Sequence, residues 1–113
     1  MRIIIAGAGA VGRHLAKLLS REDMDISLID ERQDRLGDLD ANYDLLTKVG
    51  NPTSINDLKN IGVEDVDLFI AVTPSESENI TACLLANELG AKKTLARIDH
   101  YEYLVPENKR IFE

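Results

Sequence analysis

Short apolar runs alternate with helical patterns along the whole chain. Residues 2–6 are almost entirely apolar, and residues 67–72 form a second strongly apolar run. Nearly continuous apolar strands are typical of parallel sheets that are covered on both faces. The alternation of such strands with helices therefore predicts a doubly wound parallel α/β sheet in three layers.

Five strands are expected, at residues 2–6, 26–30, 45–49, 67–72 and 93–98. The first and fourth are the most apolar, so we expect them to be neighbours near the centre of the sheet. This arrangement gives the strand order 3-2-1-4-5 of a Rossmann-like domain.

Helix faces are predicted from apolar residues three or four positions apart. The helix after the first strand is expected to turn inward Val11, Leu15, Leu18 and Leu19. One helix after the second strand repeats apolar positions at Leu36, Leu39 and Tyr43.

Two further helices are predicted to begin at a capping serine. Ser54 has Asp57 three positions later and Ser75 has Glu78, which is capping-box spacing. The first helix should bury Ile55 and Leu58 and stop near Gly62. The second should end at Gly90 and should turn inward Ile80, Cys83, Leu84 and Asn87. Residues 99–103 and 107–113 predict two more helix starts.

Composition and charge exclude several classes of function. The 113 residues suit one core and are too few for a second domain, so residues 1–113 are expected to form a single domain. No apolar run approaches the roughly 20 residues of a membrane span, and no signal peptide is seen. A net charge of -7 disfavours binding to nucleic acids and anionic lipids. A single cysteine, Cys83, without a Cys/His cluster fits a reducing cytoplasm and offers no metal site.

The turn after the first strand carries a G-x-G-x-x-G motif at Gly7, Gly9 and Gly12. Gly7 allows the tight turn, Gly9 lets a diphosphate approach the main chain, and Gly12 lets the helix pack closely on the strands. The unpaired amides of the helix N-terminus then face the phosphates. The motif alone is weak evidence, but here it follows a strand and opens a helix.

Asp30 ends the second strand, 18 residues after Gly12, close to the roughly 20 expected for an acid that binds ribose. It should accept hydrogen bonds from the adenosine ribose hydroxyls. Its charge would repel a 2′-phosphate and so disfavours NADP, whereas Arg32 nearby acts in the opposite direction. The alternative is a turn that binds no ligand, with Asp30 as a plain helix cap.

The loops after the other strands are further candidates, because ligands of open α/β sheets bind beyond the carboxyl ends of the strands. Asn51 could bind the adenine edge or only form a turn. Thr73 could approach the phosphates or a second ribose, or be a plain turn residue. Glu78 is more simply a helix cap. Arg97, a charge in an apolar strand, should pair with either an acid or a phosphate.

The predicted cofactor-binding residues are Gly7, Ala8, Gly9, Ala10, Val11, Gly12, Asp30, Glu31, Arg32, Asn51, Thr73, Pro74, Glu78 and Arg97. We find no nucleophile, no paired acid and base and no metal ligand set, so no catalytic or metal-binding residue is predicted.

Motifs along nearly the full chain resemble a known family. They are residues 2–12, Leu28-Ile29-Asp30, residues 43–45, residues 50–54, residues 67–73, Glu78-Asn79 and residues 95–98. Together they resemble the N-terminal RCK, or KTN, domains (TrkA-N domains) of Trk potassium-uptake regulatory proteins. Ala71-Val72-Thr73 and Ala96-Arg97 are more specific to this family than the glycine motif is.

The resemblance implies a cytoplasmic regulatory subunit without catalytic activity. Such subunits bind NAD(H) or ATP/ADP, form homodimers and higher rings, and gate a Trk-type potassium transporter at the inner face of the plasma membrane. Some relatives that favour ATP carry an arginine where this chain has Ala10, so NAD(H) is favoured here. Family members continue past this domain, so the chain is expected to be a fragment of a longer protein.

The sequence is also compatible with two other interpretations. The chain could be the cofactor-binding half of an NAD-dependent dehydrogenase, because the fold is shared with those enzymes. It could also be a scaffold that binds no ligand. The lack of a substrate domain and of a general acid at the crevice speaks against the enzyme.

Overall fold

The computed structural model describes residues 1–99 and forms a five-stranded parallel sheet of order β3-β2-β1-β4-β5. The strands are β1 (Arg2–Ala6), β2 (Asp25–Asp30), β3 (Leu46–Val49), β4 (Leu68–Ala71) and β5 (Lys93–Ala96). The predicted doubly wound, Rossmann-like fold and its strand order are confirmed. β1 has the predicted bounds, and the ends of the other strands differ from the predicted ones by at most two residues. The helices predicted after residue 98 lie, apart from Asp99, outside the described residues.

Strand β1 lies at the centre because its side chains are apolar on both faces. Successive residues of a strand point to opposite sides. Ile3 and Ile5 therefore contribute to one core cluster, whereas Ile4 and Ala6 contribute to the other. The sheet thus separates two cores, which accounts for the three layers.

In the described part of the chain five helices cover the sheet: α1 (Ala10–Leu19), α2 (Gln33–Leu36), α3 (Leu39–Asn42), α4 (Ile55–Asn60) and α5 (Glu76–Leu89). A short 3-10 helix, Val63–Asp65, leads into β4. Helices α1 to α3 pack on one core, and α4 and α5 pack on the other. Within residues 1–99, no helix combines the length and the apolar character that a bilayer crossing requires.

The prediction of one helix after β2 is wrong, because two short helices form there. Gly37 separates α2 from α3 and has a φ of +51°, a left-handed conformation that glycine adopts without strain from a Cβ. Each short helix still buries a leucine, Leu36 in α2 and Leu39 in α3. The apolar spacing was therefore informative about burial although the helix is interrupted.

The predicted inward face of α5 is wrong in part. Cys83 is buried as expected, but Leu84 is 58% exposed and Asn87 is also exposed. The residues that α5 buries are Asn79, Ala82, Cys83 and Ala86. Small side chains let the helix lie close to the sheet, whereas Leu84 turns away and Leu85 and Leu89 pack partly buried against the core. Burial raises the pKa of the Cys83 thiol to about 11, so the thiol stays protonated at neutral pH.

Helices α1 and α4, like α5, bury fewer of their large apolar side chains than the sequence predicts. In α1, Gly12 and Ala16 are buried, whereas Val11 and Leu18, predicted to face inward, are exposed. Ile55 of α4, also predicted to face inward, is exposed as well. Close packing of a helix on strands requires small residues at the contact, and periodicity counted from apolar side chains alone does not identify them.

The predicted helix ends agree with the structure. The Ser54 hydroxyl accepts from the Asp57 amide at 3.2 Å, and the Ser75 hydroxyl accepts from the Glu78 amide at 3.2 Å. Gly90 follows α5 with a φ of +120°, as expected for a glycine stop. The amide of Ser75 donates to the Thr73 hydroxyl at 3.2 Å, so this helix start is tied to the loop that precedes it.

Leucine-to-alanine substitutions in α4 and α5 should lower the free energy of unfolding by different amounts, depending on the burial of the leucine. Leu58 of α4 is fully buried, whereas Leu84 of α5 is mostly exposed. Leu58→Ala should lower the free energy of unfolding by about 2–5 kcal/mol, and Leu84→Ala should change it by less than about 0.5 kcal/mol. Urea unfolding of both variants checks this, and equal losses would contradict the observed orientation of α5.

Candidate functional site

A crevice opens at the carboxyl ends of the strands, where the chain order reverses between β1 and β4. This is the usual ligand position in open α/β sheets. Six of the residues that line it were predicted from the sequence, namely Asp30, Glu31, Arg32, Thr73, Pro74 and Glu78. Arg35 and Pro52 also line it.

The glycine turn lies beside this crevice because β1 and β4 approach closely there. Gly7 has a φ of +111°, and a Cβ on it would lie 2.9 Å from the Thr73 amide nitrogen. A Cβ on Gly12 would overlap the carbonyl oxygen of Gly7. A Cβ on Gly9 would meet no atom within 4 Å. Gly7 and Gly12 are thus required by the packing, whereas Gly9 borders open space.

The N-terminus of α1 presents main-chain amides to that space. The first helical hydrogen bond runs from the Arg13 amide to the Gly9 carbonyl at 3.0 Å, so the amides of Ala10, Val11 and Gly12 have no acceptor within the helix. Gly9 supplies no side-chain cap, and the first turn contains no acid. These amides and the helix dipole can therefore hold an anion.

Asp30 connects the end of β2 to the glycine turn. The carboxylate is 5% exposed, and its Oδ2 accepts from the Ala8 amide at 2.7 Å. Its Oδ1 accepts from the Arg32 amide at 2.8 Å, and Arg35 Nη1 lies 3.7 Å from Oδ2. Each carboxylate oxygen has two acceptor positions, so Asp30 can stabilise the turn and still accept a ligand hydroxyl. The Ala8 amide, by contrast, is already used.

Acidic side chains line the crevice together with two arginines. Burial raises the pKa of Glu78, and the neighbouring charge of Glu31 raises it further. The guanidinium of Arg32 is paired with Asp34 at 2.7 Å. The guanidinium of Arg35, the other arginine of the lining, lies 3.7 Å from the Asp30 carboxylate.

The residues of the glycine turn lie beside the crevice and not in its lining, and two further predicted site residues also lie outside the lining. The side-chain oxygen of Asn51 accepts from the Thr53 amide and hydroxyl, both at 2.8 Å, which is the turn-forming role. Arg97 follows β5, and its side chain pairs with Asp99 at 3.2 Å. Of the two predicted partners, an acid or a phosphate, the structure contains the acid. Contacts of either residue with a ligand stay predictions.

Sequence reasoning missed Arg35 and Pro52 as residues of this region, and it included Asn79 only in the Glu78-Asn79 motif without assigning it a role. Arg35 lies five positions after Asp30 in the helix that follows β2, and a cation so placed is the signal that could have identified it. Pro52 is fully buried beneath the crevice. Asn79 is also buried, and a polar residue on the inner face of a helix was its signal.

The sheet order, the glycine turn and the acid at the end of β2 define a Rossmann-like domain. The family model for the TrkA-N domain matches residues 3–111. The chain therefore belongs to the TrkA-N domain family.

A relative with high similarity is the Trk system potassium uptake protein TrkA of Haemophilus influenzae. It is 42% identical over 110 residues, which cover 96% of this chain and 24% of that protein. The chain thus spans about a quarter of the length of this relative.

Two solved structures share the fold. The first is a GsuK channel bound to NAD, with a TM-score of 0.80 and 20% identity over 98% of this chain and 20% of the other. The second is the Kef C-terminal domain of Shewanella denitrificans with bound AMP, with a TM-score of 0.75 and 22% identity over 92% of this chain and 65% of the other.

The shifted pKa of Glu78 predicts a pH-dependent stability. Because the folded protein holds this proton more tightly than the unfolded chain, the contribution of Glu78 is complete below the ordinary value of 4.5 and is lost as the pH rises through the raised pKa. Glu78→Gln should therefore gain stability relative to the wild type across this window. The gain should stay below about 1 kcal/mol, because solvent screens a partly exposed carboxylate.

Urea unfolding at a series of pH values measures this difference. Glu88→Gln, at an exposed position of the same helix, is the control for the loss of one negative charge. A Glu78→Gln profile that matches the Glu88→Gln profile at every pH would contradict the prediction.

Proposed function

We propose that the chain is the nucleotide-binding domain of a potassium-uptake regulatory protein and that it binds NAD(H), or alternatively ATP/ADP. The observation that carries this proposal is the open space at Gly9, which faces the free amides of α1 and adjoins Asp30. A diphosphate fits at the amides and a ribose fits at the carboxylate. The name of the Haemophilus relative and the nucleotides in the two similar structures support the same function.

The charges of the crevice favour NAD(H) over ATP. Asp30, Glu31 and Glu78 contribute negative charge, and one of the two lining arginines is already paired outside the crevice. A triphosphate carries more negative charge than a dinucleotide diphosphate. Ala10, at the start of α1, adds no cation for a terminal phosphate. NAD(H) therefore requires less compensation by other cations.

A nucleotide can regulate transport only if it binds one arrangement of the protein more tightly than another. The loop at Thr73 adjoins both the glycine turn and the crevice. We propose that ligand exchange repositions this loop and the segment after Ile98. The domain would act in the cytoplasm, without catalysis, in a homodimer or higher ring associated with a Trk-type transporter at the membrane.

Substitution of Gly9 separates binding from folding. A Cβ at this position meets no protein atom, so Gly9→Val should cost only about 1 kcal/mol of stability through the poorer helix cap. The side chain would instead occupy the space assigned to the diphosphate. Isothermal titration calorimetry with NADH should show a loss of affinity of at least about tenfold.

The same substitution tests regulation in cells. Gly9→Val in the protein that contains this chain should make potassium uptake insensitive to the nucleotide. Urea unfolding of the variant chain is the control for its fold. Regulation that persists after nucleotide binding is abolished would refute the proposed gating.

The carboxylate of Asp30 predicts discrimination between dinucleotides. A 2′-phosphate would be placed beside this buried charge, and like charges repel strongly where water is excluded. NADPH should therefore bind at least about tenfold more weakly than NADH in parallel calorimetric titrations. Equal affinities would place the ribose elsewhere than at Asp30.

A further inference from the structure

The side chain of Asn79 uses all of its hydrogen-bonding capacity inside the fold. It is 1% exposed and lies in the first turn of α5. Its oxygen accepts from the Thr73 amide at 2.8 Å and from the Thr73 hydroxyl at 2.7 Å. Its nitrogen donates to the Thr73 carbonyl at 2.9 Å and to the Arg97 carbonyl at 3.0 Å.

The chemistry of these partners fixes the orientation of the amide. A main-chain amide can only donate, and the two carbonyl oxygens can only accept. The oxygen of Asn79 must therefore face the Thr73 amide, and the nitrogen must face the carbonyls of Thr73 and Arg97. Aspartate has the same shape but, when ionised, no donor, so it cannot replace both halves of this arrangement.

The side chain of Asn79 joins the segments that follow β4 and β5, beyond the last hydrogen bond between these two strands. The Arg97 amide donates to the Ala71 carbonyl at 2.9 Å, and beyond this bond the chain leaves both β4 and β5. Asn79 then links Thr73, which lines the crevice, to Arg97, which follows β5. Because unpaired buried donors and acceptors are costly, a displacement of Thr73 must either move Arg97 or break the link.

We infer that Asn79 is a positioning residue that couples a nucleotide held at Thr73 to the position of the chain leaving β5. This inference rests on the proposed function and adds the physical route between the crevice and the end of β5. Asn79 itself need not touch the nucleotide, since it acts through Thr73 and Arg97.

Amide NMR of the 113-residue chain tests the coupling with NADH as the probe. In the wild type, NADH should shift the amide signals of Gly9 and Gly12, those of Arg97 and Ile98, and the side-chain NH2 signals of Asn79. In Asn79→Asp, the shifts at Gly9 and Gly12 should remain while those at Arg97 and Ile98 are lost. The affinity for NADH should change less than about tenfold.

The matched control is Asn87→Asp, an exposed position of the same helix, which should retain every wild-type shift. If Asn79→Asp does not fold, the wild-type Asn79 NH2 signals decide the question, because they must respond to NADH together with Arg97. Binding that shifts Gly9 but leaves Asn79 and Arg97 unchanged would overturn the inference alone. An absence of any response to NADH or to ATP would overturn the proposed function and the inference with it.

Discussion

The close approach of β1, α1 and β4 at Gly7 and Gly12 is the constraint on which the rest of the structure depends. A side-chain carbon at Gly7 would press on the main chain at Thr73, and one at Gly12 would overlap Gly7 itself. This contact fixes the rotation of α1, so that Gly12 and Ala16 face the sheet and Val11 is left outside. The free amides of α1 consequently open onto the space at Gly9, beside the crevice, and not onto another element.

Asp30 adds a polar contact to this packing. Its buried carboxylate accepts the Ala8 amide and so joins the end of β2 to the glycine turn. A charge buried to this extent is tolerated only when hydrogen bonds or cations compensate it, and here two main-chain amides and Arg35 do so. The residue that a nucleotide would contact is therefore also part of the framework that shapes its site.

The sheet could be predicted from the sequence because buried parallel strands are apolar without interruption, as in residues 3–6 of β1. The strand order followed from the same property, and the caps at Ser54 and Ser75 followed from local spacing. The glycine turn and Asp30 could also be predicted from local spacing. They belong to one compact unit in which a strand, a turn and a helix lead to the next strand.

Features that depend on contacts between distant residues could not be predicted in this way. The burial of Ala82 and Ala86 in place of Leu84 depends on how closely α5 approaches the sheet. The spacing of apolar residues along the helix does not indicate this distance. The bond from Asn79 to Arg97 spans 18 positions, and no local pattern indicates its partner. Gly37 likewise interrupts a helix through a backbone conformation that the apolar pattern does not report.

The central position of β1 has a consequence for biosynthesis. β1 pairs with β4 through contacts such as Ile3 with Leu68, so during translation β1 must wait for a partner that leaves the ribosome much later. At about 5–20 residues per second, this delay is on the order of seconds. Throughout that interval an apolar strand has at least one unpaired edge, and unpaired strand edges make a partly folded chain prone to aggregation.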